Sequence, residues 1–301
     1  MLNSIHFLLS YKCTSECDHC FLYCSPQAEG TFTLAKLRQV FNEIRKVKPI
    51  TGVYFEGGEP FLFYPLMIEG IRIARSMGLT VGVVTNAYWA TSVEDAVIWL
   101  KPLAELGISD LSLSDDLFHH DDIEMSPAKI ALAAATKLGI PADTICIEAP
   151  ETASPDDTQA KGEPITKGGV KFRGRAVEKL SEGIPRQSWK NLTTCPHEDL
   201  EKPERVHLDA FGNVHLCQGL LMGNVWKTPL TGLIRSYNPH THPICGPLLK
   251  GGPVLLAKEY GIDLEPEYIE ECHLCYLVRR ALIARFPDLL GPAQVYGLDT
   301  E

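Results

Sequence analysis

The chain has 301 residues, 45% hydrophobic and 22% charged, the make-up of a globular protein with ample material for a core. Its formal net charge of -10 opposes a phosphate backbone, and the densest basic stretch, Lys167 to Arg175, holds only four basic residues, so a nucleic-acid substrate is not expected. No window approaches the roughly 20 apolar residues that cross a bilayer. Met1 to Ser10 also lacks the basic start and cleavage site of a signal peptide, so no membrane partner and a cytoplasmic setting are expected.

Ile5–Ser10 reads as a strand. Thr33–Lys48 reads as a helix in which Leu34, Leu37, Val40, Phe41, Ile44 and Val47 recur at helical spacing until Pro49 ends it. The alternation continues with Gly52–Phe55 as strand, Leu66–Met77 as helix, Thr80–Val84 as strand and Val93–Leu106 as helix. Ile108–Ser114 is then a strand, Pro127–Leu138 a helix and Asp143–Glu148 a strand. Gly78 and Gly107 fall where helix C-caps belong, and Gly139 and Pro141 break the last pair. Repeated βα units imply an α/β fold around a parallel sheet, open or curled into a partial barrel. Ala149 to Lys167 has the Pro, Asp, Thr and Gly content of a long surface loop or lid, after which Gly168–Leu180 returns to strand and helix. Beyond residue 190 the rhythm stops. Val206–Leu208 and Val214–Leu216 flank Phe211-Gly212-Asn213, a hairpin signature, and helices follow at Pro253–Tyr260 and after Cys275. The expected division is 1–190 and 191–301.

Three of the ten cysteines lie within eight residues, as Cys13-Thr-Ser-Glu-Cys17-Asp-His-Cys20, directly after the first strand. Such clustering favours metal binding over a disulfide framework. Three thiolates leave one iron of a [4Fe–4S] cube without a protein ligand, free to bind cofactor or substrate. A zinc loop completed by Cys24 or His19 is the competing reading. One βα unit later stands Gly57-Gly58-Glu59-Pro60, whose glycines permit close backbone approach to a ligand.

The two motifs together resemble the radical S-adenosylmethionine (SAM) superfamily, where CxxxCxΦC follows the first strand of a partial (β/α)6 TIM-like barrel; here the usually aromatic Φ is His19. The resemblance implies that Cys13, Cys17 and Cys20 hold a [4Fe–4S] cluster and that Gly57, Gly58, Glu59 and Pro60 receive the amino group of SAM's methionine. Reductive cleavage of SAM then yields a 5′-deoxyadenosyl radical that abstracts hydrogen from substrate. By family position Asn86 and Ser114 lie near SAM and Asp115 nearer the substrate, as the candidate catalytic residue. The bland readings are that Asn86 caps a turn, that Asp115 and Asp116 cap a helix, and that His119 and His120 are solvated. Gly174-Arg175-Ala176 resembles a segment found in members with auxiliary clusters.

The remaining cysteines extend the resemblance. Cys195, Cys217, Cys272 and Cys275, with 21, 54 and 2 residues between them, resemble the twitch form of the SPASM extension, a small α+β cluster-binding domain. Four thiolates would ligate one auxiliary [4Fe–4S] cluster, with structural zinc as the rival and Cys245 as a possible replacement for Cys195. Cys146 is expected to be a buried thiol and Cys24 a bystander. The implied function is oxidation or rearrangement of a small molecule or peptide assisted by the auxiliary cluster, with electrons from a flavodoxin or ferredoxin. Peptide modification and cofactor maturation are related alternatives, and a non-catalytic Fe–S or zinc electron-transfer or scaffold protein is the alternative of another class. The first strand starts within five residues of Met1, which speaks against a leader-binding domain ahead of the barrel and for a small molecule or a separately presented peptide.

Overall fold

The computed structural model describes residues 2–152 and 166–298, so most of the expected lid at Ala149 to Lys167 lies outside the described residues. The first half alternates as expected: β1 (Ser4–Ser10), α1 (Leu34–Ile44), β2 (Gly52–Gly57), α2 (Tyr64–Ser76), β3 (Thr80–Thr85), α3 (Val93–Leu106), β4 (Asp110–Ser114), α4 (Pro127–Leu138) and β5 (Ala142–Ile145). Caps set the helix starts. Thr33, Ser92 and Ser126 each accept a hydrogen bond from the backbone N–H three residues on. The two-residue strands β6 (Glu151–Thr152) and β7 (Thr166–Lys167) pair antiparallel, and α5 (Ala176–Lys179) is a single turn.

The expected strand after Gly168 is absent among the described residues. Only the parallel bridge between Glu148 and Gly169 stands in its place, because Gly168 and Gly169 both take positive φ and turn the chain out of extended geometry. After β8 (Gln187–Ser188) come the hairpin strands β9 (Arg205–Asp209) and β10 (Asn213–Cys217), an unforeseen β11 (Leu220–Asn224), α6 (Leu230–Ser236), α7 (Cys245–Tyr260), β12 (Glu267–Tyr268) and α8 (Glu271–Leu282). α7 kinks at Gly251 and Gly252, so the expected helix at Pro253–Tyr260 is its second part. α8 begins before Cys272 rather than after Cys275, placing both thiols in its first turn.

One eight-stranded sheet runs in the order β11-β10-β9-β1-β2-β3-β4-β5. β9 pairs parallel with β1, Ser4 opposite Arg205 and Leu8 opposite Asp209, so six parallel strands form the α/β partial barrel and the hairpin continues it at the β1 edge. A single buried apolar cluster extends from Leu2 to Leu290 across residue 190, so that position marks a change of rhythm within one shared core. The outward residues of β1, Ile5, Phe7 and Leu9, pack beneath the helices, while Leu8 on the other face joins Tyr11, Cys13 and Leu22. Among the described residues no helix is long and apolar enough to cross a membrane.

Phe7 is fully buried, with Phe41 and Phe55 at ring distances of 5.2 and 5.4 Å. Phe7→Ala leaves a cavity at the centre of the sheet and is expected to cost about 3–5 kcal/mol in a urea unfolding measurement.

Candidate functional site

The loop after β1 is held by backbone rather than by its own secondary structure. Cys13 N donates to Ser25 O at 3.0 Å and Cys20 N to Cys17 O at 3.0 Å, which curls the three cysteines over the C-terminal ends of the strands. The end of β2 grips this loop from the side: Gly58 N donates to Ser10 O at 2.7 Å and Glu59 N to Lys12 O at 2.8 Å. A Cβ on Gly58 would stand 2.0 Å from Lys12 O, and one on Gly57, at φ +121, would stand 2.6 Å from Ser10 O. The paired glycines are therefore required by the approach of two backbones as well as by any ligand.

Behind that contact, Glu59 is fully buried. Its Oε1 accepts from Phe61 N and Thr85 Oγ1, both at 2.9 Å, and its Oε2 accepts from Asn86 N at 2.8 Å. Burial raises its carboxyl to about 7, only partly offset by these donors. Glu59 thus ties the end of β2 to the end of β3, and Pro60 starts the 3-10 turn that follows. Gly57 and Gly58 line the open cavity, and Glu59 and Pro60 stand behind them.

The cavity has a volume of about 380 Å³ and is lined by Cys13, Cys17, Cys20, Gly57, Gly58, Asn86 and Ser114, together with Glu56, Asp116, His119, Lys171 and Arg173. Asn86 Nδ2 donates to Thr14 Oγ1 at 2.9 Å and lies 3.7 Å from Cys13 Sγ, so it serves the cysteine loop beyond capping a turn. Asp115 is turned away: its Oδ1 accepts from Ser126 Oγ at 2.6 Å, at the cap of α4. Strand alternation gives its expected place to Asp116, which is 2% exposed and bonded at 2.8 Å to His119 Nδ1. Burial pushes the Asp116 carboxyl up, but His119 outweighs it and holds the group below its ordinary value. His119 is therefore a cavity residue rather than a solvated one, while His120 caps Ser114 O at 2.9 Å. Burial lowers His19 to about 4, and its ring lies tilted against that of Phe118 with centroids 4.5 Å apart.

Gly174-Arg175-Ala176 proves to be a clamp on the cysteine loop. Arg175 Nη1 donates to Cys17 O at 2.8 Å and Nη2 to Cys24 O at 2.9 Å, while its N–H donates to Cys20 O at 3.0 Å. Gly174 lies so close that a Cβ would meet Phe21 Cα at 2.4 Å. Cys24 is buried and hydrogen-bonded to Cys20, which lowers the Cys20 thiol to about 6 and raises Cys24. Burial pushes Cys13 to about 11 and Cys17 to about 12. At neutral pH the Cys13 and Cys17 thiols therefore become thiolates only against a cation.

Cys195, Cys217, Cys272 and Cys275 line a second, narrow cavity with Arg173 and Arg279. The hairpin brings Cys217 and the first turn of α8 brings Cys272 and Cys275. Cys245 is fully buried in the core and accepts from Tyr237 Oη at 3.7 Å, outside that cavity. Cys146 is exposed rather than buried, because β5 is an edge strand that ends at Ile145. Among the described residues, the sets of three ligand atoms within 4.8 Å of one another are His6–Glu56–His207 and His19–Asp116–His119, and no cysteine set closes that far.

Residues 7–154 match the Radical SAM superfamily. That stretch is a radical SAM domain. The chain is 21% identical over 291 residues to "Putative peptide biosynthesis protein YydG" of Bacillus subtilis (strain 168), covering 94% of this chain and 82% of the relative. It is 26% identical over 114 residues to "Tungsten-containing aldehyde ferredoxin oxidoreductase cofactor-modifying protein" of Pyrococcus furiosus (strain ATCC 43587 / DSM 3638 / JCM 8422 / Vc1), covering 38% of this chain and 30% of that one. Among solved structures, BtrN in complex with AdoMet and 2-DOIA aligns with TM-score 0.49 and 15% identity over 77% of this chain and 82% of that chain. The native anSMEcpe structure with bound AdoMet aligns with TM-score 0.45 and 13% identity over 78% and 80%.

Such a domain binds an iron–sulfur cluster and SAM, and the loop carrying Cys13, Cys17 and Cys20 is the part of this radical SAM domain suited to the cluster. Sequence reasoning missed Glu56, whose carboxylate lines the cavity and meets His207 Nε2 at 2.9 Å and His6 Nδ1 at 3.4 Å. Its signal was positional: it lies one residue before the glycine pair, on the inward face of β2.

Two outcomes test this site. Each charged hydrogen bond from Arg175 contributes about 1.5–3 kcal/mol, so Arg175→Met is expected to lower iron retained per chain after anaerobic reconstitution while leaving the far-ultraviolet circular dichroism intact. For Glu59 the folded value of about 7 stands above the ordinary 4.5, so between them the folded chain holds a proton that the unfolded chain has released. That stabilising contribution is present at the acid end and is lost as pH rises through about 7. The urea midpoint of metal-free protein is expected to fall between about pH 5 and about pH 8, with a shallower fall in Glu59→Gln.

Proposed function

We propose that this radical SAM enzyme oxidises or rearranges a peptide substrate, with a second [4Fe–4S] cluster at Cys195, Cys217, Cys272 and Cys275 receiving an electron from it. One observation carries the reading: the cavity that gathers the three-cysteine loop, Gly57-Gly58 and Asn86 shares a wall residue, Arg173, with the four-cysteine pocket. A [4Fe–4S] cluster held by Cys13, Cys17 and Cys20 together with SAM would supply, on receiving an electron from a flavodoxin or ferredoxin, a 5′-deoxyadenosyl radical able to take a hydrogen atom from substrate.

The protein's own residues place and shield that chemistry. In this reading the Gly57-Gly58 backbone receives SAM's methionine end, and Asn86 and Ser114 flank it. His119 is the group that accepts the substrate's proton, because its Nδ1 is anchored to Asp116 Oδ1 and its ring lines the cavity. Asp115, occupied by Ser126, has no such role. The peptide class draws on the relative described as a peptide biosynthesis protein, which aligns over 94% of this chain and so spans both cavities.

Anaerobically reconstituted protein given dithionite and SAM is expected to release 5′-deoxyadenosine, read by mass spectrometry, and the Cys13→Ala, Cys17→Ala, Cys20→Ala triple variant is expected to release none. Absence of the product from the wild type would overturn the enzyme reading. Two clusters predict about eight irons per chain. Cys195→Ala is expected to drop that to about four, while Cys245→Ala retains about eight.

A further inference from the structure

Arg173 is the described residue common to the linings of both cavities. It is 7% exposed, and its guanidinium carbon stands 5.0 Å from the centre of the Phe21 ring, on the residue that directly follows Cys20. On its other side Nη1 donates to Cys217 Sγ at 3.1 Å. Its carboxylate neighbour is Glu198, at 3.7 Å, and Glu198 also meets Arg205 at 3.6 Å. Among the described residues the buried Nε has no hydrogen-bond partner. A second cation, Arg279, is 2% exposed in the same four-cysteine pocket and is held by the carbonyl of Gln218 at 3.0 Å and that of Cys275 at 3.4 Å.

Arginine does not shed its charge in a protein, so a buried guanidinium needs negative charge beside it. Glu198 supplies part of this to Arg173 but is shared with Arg205, and Glu270 is a further carboxylate that feels the Arg173 charge; beside these, the sulfurs of Cys217 and Cys272 are the groups that most favour it. A thiolate-ligated cluster gains one negative charge on reduction, and both a nearby cation and an N–H bond to a ligand sulfur favour the more negative state.

We propose that Arg173 is a tuning residue that raises the reduction potential of the cluster at the four-cysteine pocket, making it a better electron acceptor for the adjoining cavity. This rests on the cluster reading given above. Glu198 opposes the effect by neutralising part of the Arg173 charge.

The test is a dye-mediated redox titration of the anaerobically reconstituted holoenzyme followed by electron paramagnetic resonance. The signal that changes on adding SAM belongs to the three-cysteine loop, and the other signal is tracked. Arg173→Gln is expected to lower the second potential by about 59 mV, a tenfold fall in the ratio of reduced to oxidised cluster for one electron. Arg173→Lys is expected to recover part of the loss, and Glu198→Gln is expected to shift the potential upward. A purely structural role gives no reason for opposite signs. An unchanged potential in Arg173→Gln at full iron content overturns the inference while leaving the cluster in place, as does a downward shift in Glu198→Gln. Should Arg173→Gln lose the second cluster, the Arg173→Lys and Glu198→Gln shifts decide alone. A wild type with about four irons per chain overturns the cluster reading, and this inference with it, by iron count rather than by potential.

Discussion

The contact on which the site depends is the meeting of two backbones at the ends of β1 and β2. Gly58 N to Ser10 O and Glu59 N to Lys12 O continue the parallel pairing past the point where the strands end, so the cysteine loop starts from a fixed origin. Glycine at 57 and 58 is required there because any side chain would strike carbonyls at 2.0–2.6 Å. Positioning of the three thiols therefore follows from the register of two buried strands, whose outer faces are locked by Phe7 and Phe55 in the core. A loop alone would not hold them; the sheet does, with Arg175 closing the far side through the carbonyls of Cys17 and Cys24.

Glu59 extends the same constraint to the next strand. A buried carboxylate is costly unless donors surround it, and here one backbone N–H before α2, one hydroxyl at the end of β3 and one backbone N–H just beyond it provide three. The result is that Asn86 projects toward Cys13 from a backbone that Glu59 pins. Glu59 is the joint between two strand ends, and the cavity gains its shape from that joint.

The parts most legible in the sequence were those set by local chemistry. Helical periodicity and the glycines at 107 and 139 gave α3 and α4 their bounds, and CxxxCxxC followed by Gly-Gly-Glu-Pro located the cavity. What could not be read depends on pairings distant in sequence. Nothing local says that β9 lies beside β1, or that a two-residue phase within Ser114-Asp115-Asp116 turns Asp116 inward and Asp115 onto Ser126. The clamp formed by Gly174-Arg175-Ala176 could not be read either, because its partners are backbone carbonyls on a loop more than 150 residues earlier. Cys146 was misjudged since a strand-like run does not announce that it forms the sheet edge.

The placement of β9 has a further consequence for chemistry. By pairing with β1 it carries the hairpin, and hence Cys217, to the side of the sheet on which the Cys13–Cys20 loop begins. The segment from Lys171 to Arg175 then threads between them: Arg175 faces the three-cysteine loop and Arg173, two residues earlier, reaches Cys217. Two arginines of one short buried turn thus attend two thiol groups, one through loop carbonyls and the other through the Cys217 sulfur. The sharing of one sheet and one core across residue 190 fixes the separation of the two thiol groups, since independently packed domains would let it vary.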